Sequence, residues 1–313
     1  MNLLRNNMKI KIEDFEKVLG FKFSEESKNK INSYNISLTK LTEEELKDNI
    51  NFIEELLSKP DIVRAGSHRI NDWNFGWGQN SDEFAATNDI RSLIPKYFAK
   101  YRFVRFNNEM FKTNNPESEL NMLRVLQHYV FEKYCKQNDI KNFYEFGCGT
   151  GHNLLALNDM SNNNGNYYGF DWSSSPADIF ENIRKNINPN FQFNVFDFTE
   201  PNYSVNIRED SIVFTFAALE QIGNKHEKFI NFLIEKKPKL CVHLEPVTEL
   251  LSSDDKLQNL SIRYINKRNY LSNFYNTLKI DKKDKVNILD AKRTTFGSFL
   301  LEGYSLIAWR PIV

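Results

Sequence analysis

Cysteine is scarce. Cys135, Cys148 and Cys241 are the only three in 313 residues and stand far apart without a repeating interval, which excludes a disulfide framework and a cysteine-built zinc site. Net charge is missing as well. The 41 lysines and arginines are matched by 41 aspartates and glutamates, so no overall field draws the chain to a nucleic-acid backbone. No apolar run approaches the roughly 20 residues of a membrane-spanning helix. The opening stretch MNLLRNNMKIKIEDF lacks the apolar core of a signal peptide. Internal repeats and low-complexity tracts are also absent. What remains is a chain 41% hydrophobic and 14% aromatic, rich enough to build a core and too apolar for disorder. Its length suits one large domain with an appendage. These features predict a soluble, cytoplasmic protein.

The first 114 residues predict a mainly helical cap. Thr42 and Glu45 have capping-box spacing, with Leu41 and Leu46 placed as a hydrophobic staple. Leu46, Ile50, Ile53 and Leu57 then recur at helical intervals until Pro60. The stretch from Arg64 to Asn80 holds His68, Trp73, Trp77 and several glycines without a clean period. It reads as a loop, either carrying binding residues or plugging a joint between layers. Residues 97–112 predict a hairpin turning at Asn107–Asn108, since asparagine tolerates left-handed backbone angles.

From Asn115, a capping residue followed by Pro116, the pattern becomes regular. Short β runs at 142–146, 166–171, 191–196, 211–216 and 239–244 alternate with helices at 152–160, 176–187 and 225–237. Such alternation predicts an α/β, doubly wound, mostly parallel sheet over residues 115–313. A helix of about 255–279 leads to two last strands, 286–296 and 303–310. Gly297 to Gly303 is too short for a parallel crossover, so these two pair antiparallel.

The segment Asn142-Phe-Tyr-Glu-Phe-Gly-Cys-Gly-Thr-Gly-His-Asn153 carries the most chemistry. A strand ends at Glu145-Phe146, and three glycines turn the chain into a helix, letting a ligand approach the backbone. A dinucleotide fingerprint would want glycine or alanine at His152, and a Walker loop would want Gly-Lys-Ser/Thr; neither is there. Asp171 closes the second strand and Asp197 the third. The glycine turn resembles motif I of class I S-adenosylmethionine-dependent methyltransferases, E/D-x-G-x-G-x-G, through Glu145, Gly147, Gly149 and Gly151. The resemblance covers residues 115–310 and implies a Rossmann-like, seven-stranded sheet with an antiparallel last strand.

By that resemblance, Glu145 orients S-adenosylmethionine, and Gly147, Cys148, Gly149, Gly151 and Asn153 surround its methionine part. Asp171 takes the ribose hydroxyls, Asp197 the adenine amino group, and Phe198 lies beside the ring. Trp172 either stacks on adenine or covers the sheet edge, and Phe216 belongs to the same cofactor set. Taken alone, Glu145 also suits a helix dipole and Asp197 a turn.

Methyl transfer from a sulfonium requires the nucleophile to be held in line and water to be excluded. A base is needed only for a protonated acceptor. Ligands bind at the carboxyl ends of strands in such sheets, which points to Glu220, His243 and Glu245 as base or acceptor-orienting groups. Each also has a structural reading: Glu220 as a backbone contact, His243 as a satisfied core histidine, Glu245 as part of a turn with Pro246. No metal is expected. His68, Trp73, Trp77, Tyr264 and Arg268 are the candidate acceptor-binding residues. Ala218-Leu-Glu-Gln221 resembles the segment of small-molecule methyltransferases, and the layout resembles enzymes acting on sugars. The resemblance therefore implies a small-molecule or sugar-like acceptor; RNA- or protein-directed transfer and a non-catalytic cofactor-binding protein are the alternatives.

Overall fold

The computed structural model describes residues 7–98 and 100–312. The first six residues, part of the stretch read above as lacking signal-peptide character, lie outside them. The chain opens with β1 (Asn7–Lys9), α1 (Ile12–Leu19), α2 (Glu25–Ser33), β2 (Ser37–Lys40) and α3 (Glu43–Ser58). Helix α3 starts where the sequence places it. The Thr42 hydroxyl accepts from the Glu45 amide at 3.1 Å and the Glu45 carboxylate accepts from the Thr42 amide at 3.0 Å. Ile50, Ile53 and Leu57 form its buried stripe.

From Ile70 onward the segment read as a loop is a helix. α4 (Ile70–Thr87) runs through both tryptophans, Gly76 and Gly78, and buries Trp77, Asn80 and Phe84. Those positions have helical spacing, but a polar residue occupies the middle one and hides the period. Asn80 is accepted there because its amide donates to the Ser92 and Ile94 carbonyls at 2.6 and 3.3 Å. The expected hairpin forms as β3 (Phe103–Phe106) and β4 (Glu109–Thr113). Asn107 and Asn108 both have positive φ, 49° and 65°, as a two-residue primed turn requires.

Next come α5 (Ser118–Val130), β5 (Asn142–Phe146), α6 (His152–Met160), β6 (Asn166–Asp171), α7 (Pro176–Asn186), β7 (Phe191–Val195), β8 (Ser211–Phe216), α8 (Glu227–Lys236) and β9 (Leu240–Glu245). α5 begins at Ser118 rather than at Pro116; the Asn115 side chain accepts from the Glu117 amide at 3.0 Å and forms a turn ahead of it. The long helix expected over 255–279 is broken. α9 (Lys256–Arg268) ends at Asn269, and a short helical turn resumes at Phe274–Asn276. Asn269 and Asn273 both take left-handed angles, which terminate helices. β10 (Val286–Arg293), β11 (Gly297–Ser298) and β12 (Ser305–Pro311) complete the described chain.

Two sheets result. The larger is Rossmann-like and doubly wound, in the order β10-β12-β9-β8-β5-β6-β7. Its four inner pairings from β9 to β7 are parallel where the chain crosses over, while β12 pairs antiparallel with both β9 and β10. β5, β8 and β9 are buried along their whole length, as expected of strands covered on both faces. The smaller sheet has the order β1-β2-β4-β3-β11 and is antiparallel. The early part of the chain is therefore helical plus a sheet of which sequence reading caught only one hairpin. That sheet takes its edge strand from Gly297–Ser298, between the last two strands of the large one. Among the described residues no helix is long and apolar enough to cross a membrane.

Candidate active site at the glycine turn

The order of the large sheet reverses beside β5, and ligand sites open at such a point. From β5 the chain turns through Gly147, Gly149 and Gly151, with φ of 74°, 49° and 75°. The first two lie close to other parts of the site. A Cβ on Gly147 would overlap that of Ala218, and one on Gly149 would lie 2.9 Å from the Trp77 indole. Asp171, at the end of β6, holds the turn from below. Its carboxylate accepts the Gly149 amide and the Ser173 amide, each at 2.9 Å. Burial raises the Asp171 pKa to about 6. The carboxylate keeps lone-pair capacity beyond the backbone amides it accepts.

A cavity opens above the turn, lined by Gly147, Cys148, Gly149, Asn153, Asp171, Trp172, Phe198 and Phe216 among others. α4 forms its wall. Trp73 and Trp77 line the cavity and stack on each other at 5.3 Å between ring centroids. The helix is fixed to the end of β6 through Asn74, whose side-chain oxygen accepts from the Ser173 hydroxyl at 2.7 Å and the Ser174 amide at 3.2 Å. A second, larger cavity meets the first and is lined by Glu119, Glu220, Tyr264, Arg268, Tyr270, Tyr304 and neighbours. Trp73, Tyr97, His152, Asn153, Phe216, Ala217 and Gln221 line both. Ala217 has a φ of 48°, a strained angle for alanine of the kind that collects at functional sites.

Several candidates fall elsewhere. Glu145 is fully buried beneath the turn; one carboxylate oxygen accepts from the Asn153 amide at 2.7 Å and the other has no partner. Burial pushes its pKa up to about 8. Gly151 shapes the turn without lining the cavity. Asp197 is outside it too, and its carboxylate accepts the Thr199 amide and hydroxyl, both at 2.7 Å. His68 lines a separate opening that it shares with Trp172 and Gln221.

Two of the three expected catalytic groups are core residues. The His243 ring is 1% exposed, with Nδ1 bonded to the Thr215 hydroxyl at 2.8 Å and Nε2 accepting from the Trp309 indole at 3.0 Å. No lone pair or proton is left for a ligand, and burial lowers its pKa to about 3. Glu245 is fully buried. Its carboxylate accepts the amides of Ala218, Leu219 and Glu220 at 3.0, 3.1 and 3.3 Å, which fixes the loop after β8. Glu220 alone faces a cavity, the larger one. Burial, reinforced by the Glu245 charge, raises its pKa to about 8. Sequence reading missed Glu119, Tyr97, Gln221 and the role of His152, whose only signal was its misfit to a dinucleotide fingerprint. Among the described residues, no group of three His, Cys, Asp or Glu is placed to hold a metal ion.

The buried carboxyls dictate a pH dependence. Glu145, Glu220, Glu245, Glu119 and Asp171 all have native pKa values raised by burial, to about 8, 8, 7, 7 and 6. Their unfolded values lie near 4, so between these limits the native state binds more protons and stability falls as pH rises. Above about pH 7.5 the histidines of the unfolded chain are largely neutral too, so the buried ones no longer oppose this. The melting temperature of the ligand-free protein is therefore expected to drop by several degrees between pH 7.5 and 9. Scanning calorimetry across that range checks it; a flat or rising profile would show that these carboxyls are ionised at little cost.

No family model matches the chain, and no curated protein matches its sequence. The fold is similar to solved methyltransferase structures. An O-methyltransferase of neocarzinostatin biosynthesis, NcsB1, solved with S-adenosyl-L-homocysteine and 1,4-dihydroxy-2-naphthoic acid, matches with a TM-score of 0.41 and 12% identity over 63% of this chain. This chain spans 59% of that protein's length. The plantazolicin methyltransferase BpumL matches with a TM-score of 0.42 and 12% identity, over 78% of this chain and 97% of its own. RosA of Streptomyces davawensis, an N,N-8-amino-8-demethyl-D-riboflavin dimethyltransferase, gives 0.40 and 10% over 76% and 69%.

Proposed function

We propose that this chain binds S-adenosylmethionine over the glycine turn and passes its methyl group to a small molecule held in the larger cavity. The observation that carries the reading is a pair of cavities with a common lining. One rests on Gly147, Gly149 and the Asp171 carboxylate, and the other on an aromatic wall with two carboxylates. The residues fit the cofactor. The floor of the smaller cavity is glycine where a Cβ would intrude, and a carboxylate stands at the strand end.

Asp171 would take the ribose hydroxyls, Trp172 and Phe198 would flank the base, and the turn would lie along the methionine part. When bound, S-adenosylmethionine supplies a methyl group made electrophilic by its sulfonium. The chain's own contribution is alignment and exclusion of water. Trp73 and Trp77 close the cofactor side, and Glu220 faces the body of the acceptor. Calorimetric titration with S-adenosylmethionine and S-adenosylhomocysteine tests the reading; one-to-one binding of both is expected. No heat and no thermal shift at millimolar ligand would end it.

A further inference from the structure

Three buried polar atoms among the described residues lack any partner and belong to side chains lining both cavities: Trp73 Nε1, His152 Nε2 and Gln221 Oε1. Buried polar atoms left alone cost free energy, so each such atom at a cavity marks where a ligand atom belongs. Their hydrogen-bonding roles can be worked out. The Thr150 hydroxyl spends its proton on the Leu93 carbonyl at 2.6 Å. Its contact of 3.4 Å with His152 Nδ1 therefore requires Nδ1 to carry the hydrogen. Nε2 then presents a lone pair. Gln221 spends its amide hydrogen on Glu220 at 2.9 Å, leaving Oε1 as an acceptor. Trp73 Nε1 can only donate.

We propose that the junction of the two cavities is a hydroxyl-binding subsite, in which Trp73 Nε1 donates to the acceptor's oxygen and His152 Nε2 accepts its hydrogen. This rests on the methyl-transfer reading and narrows it to oxygen. A hydroxyl has two lone pairs, so it can accept from Trp73 and still have a pair to attack with. A neutral amine has one, which the indole N–H would occupy. Gln221 Oε1 is left for a second donor on the same ligand. The larger cavity carries Tyr97, Tyr101, Tyr264, Tyr270 and Tyr304 on its walls, which suits a hydroxyl borne on a flat ring.

The basic side chains of that cavity are already engaged. Arg69 lies over the Trp73 ring and pairs with Asp72, Arg268 lies over Tyr270, and Lys100 lies over Tyr101. Arg268 Nε nevertheless lacks a hydrogen-bond partner and offers one further donor to an acceptor atom of the ligand. When the oxygen is methylated, its O–H bond breaks and the electron pair stays on oxygen. The proton goes to His152 Nε2, from which water later takes it, and the pair of the broken carbon–sulfur bond stays with sulfur. Burial holds the His152 pKa well below the usual histidine range, so Nε2 is free of a proton at neutral pH.

The test uses 7-hydroxycoumarin, 7-aminocoumarin and coumarin, titrated into the full chain with and without S-adenosylhomocysteine. 7-Hydroxycoumarin is expected to bind about tenfold more tightly than coumarin, consistent with one or two well-made hydrogen bonds, and 7-aminocoumarin to gain less. His152→Ala and Trp73→Phe should each remove most of that advantage, read within each variant as the ratio of 7-hydroxycoumarin to coumarin affinity. His152→Asn, which keeps a polar group beside Thr150, guards against a folding defect. Equal binding of 7-hydroxycoumarin and coumarin, no binding of either, or an advantage that survives His152→Ala would each overturn the subsite. S-adenosylhomocysteine binding in the same samples shows separately whether the methyl-transfer reading stands.

Discussion

Gly147→Ala is expected to lower the affinity for S-adenosylmethionine by 10²-fold or more and to destabilise the protein by about 3–5 kcal/mol. Two costs add. At φ of 74° a side chain meets its own backbone, worth about 1–2 kcal/mol. The new methyl also overlaps that of Ala218, which has nowhere to go. The Ala218 amide is held by Glu245 at 3.0 Å, and the Ala217 amide donates to the Leu244 carbonyl at 2.9 Å. The strain has to be relieved by moving the turn itself, on which the cofactor would lie. Chemical denaturation and calorimetric titration measure the two effects. Adding Ala218→Gly should recover part of the stability, because it removes the overlap and leaves the φ penalty. No recovery would mean that the overlap is not what unseats the turn.

Asp171→Ala should weaken cofactor binding by about 10- to 150-fold, the equivalent of about 1.5–3 kcal/mol for charge-assisted hydrogen bonds. The loss runs through two routes. The ribose hydroxyls lose their acceptor, and the Gly149 and Ser173 amides lose theirs. Ser173 also ties Asn74 of α4 to this strand end, so the tryptophan wall loosens with it. Asp171→Asn keeps one acceptor oxygen and should fall between the alanine variant and the parent. Protonation imitates the same loss. With a pKa raised to about 6, the parent's dissociation constant should rise as pH falls through 6, and the Asp171→Asn variant should not share that rise. Titrations at pH 5 and 7.5 decide it; parallel behaviour of the two proteins would remove Asp171 from the ribose contact.

The large sheet was legible because its signals are local. β5, β6 and β8 start and stop where the apolar runs do, at 142–146, 166–171 and 211–216, each bounded by turn residues. The glycine turn and Asp171 were legible for the same reason. What escaped was set by tertiary partners. α4 hid because its buried stripe includes Asn80, tolerable only where the Ser92 and Ile94 carbonyls wait for it. The break in the helix after Arg268 hid because asparagine is neutral in a helix until its backbone turns left-handed. His243 and Glu245 misled because position at a strand end says where a side chain starts and not what it touches. Trp309 and Thr215 close off the histidine, and three backbone amides close off the glutamate. His152 gave no signal beyond its misfit to a dinucleotide fingerprint, since its orientation depends on a threonine hydroxyl whose proton goes to Leu93.

The placement of β11 has a consequence for how the chain is made. Arg105 in β3 is buried, and its guanidinium donates to the Leu257, Phe299 and Leu300 carbonyls and the Ser261 hydroxyl at 2.6–3.3 Å. Gly297 pairs with Arg105 itself. On a ribosome adding about 5–20 residues per second, Arg105 emerges roughly 10–40 s before its last acceptors are synthesised. Until then a charge with no partner must stay in water, and the β3–β4 hairpin cannot bury its edge. The small sheet is thus held open during translation and seals only once residues 297–300 have been made, so a ribosome stalled before residue 297 would display an unpaired strand for a holdase to grip.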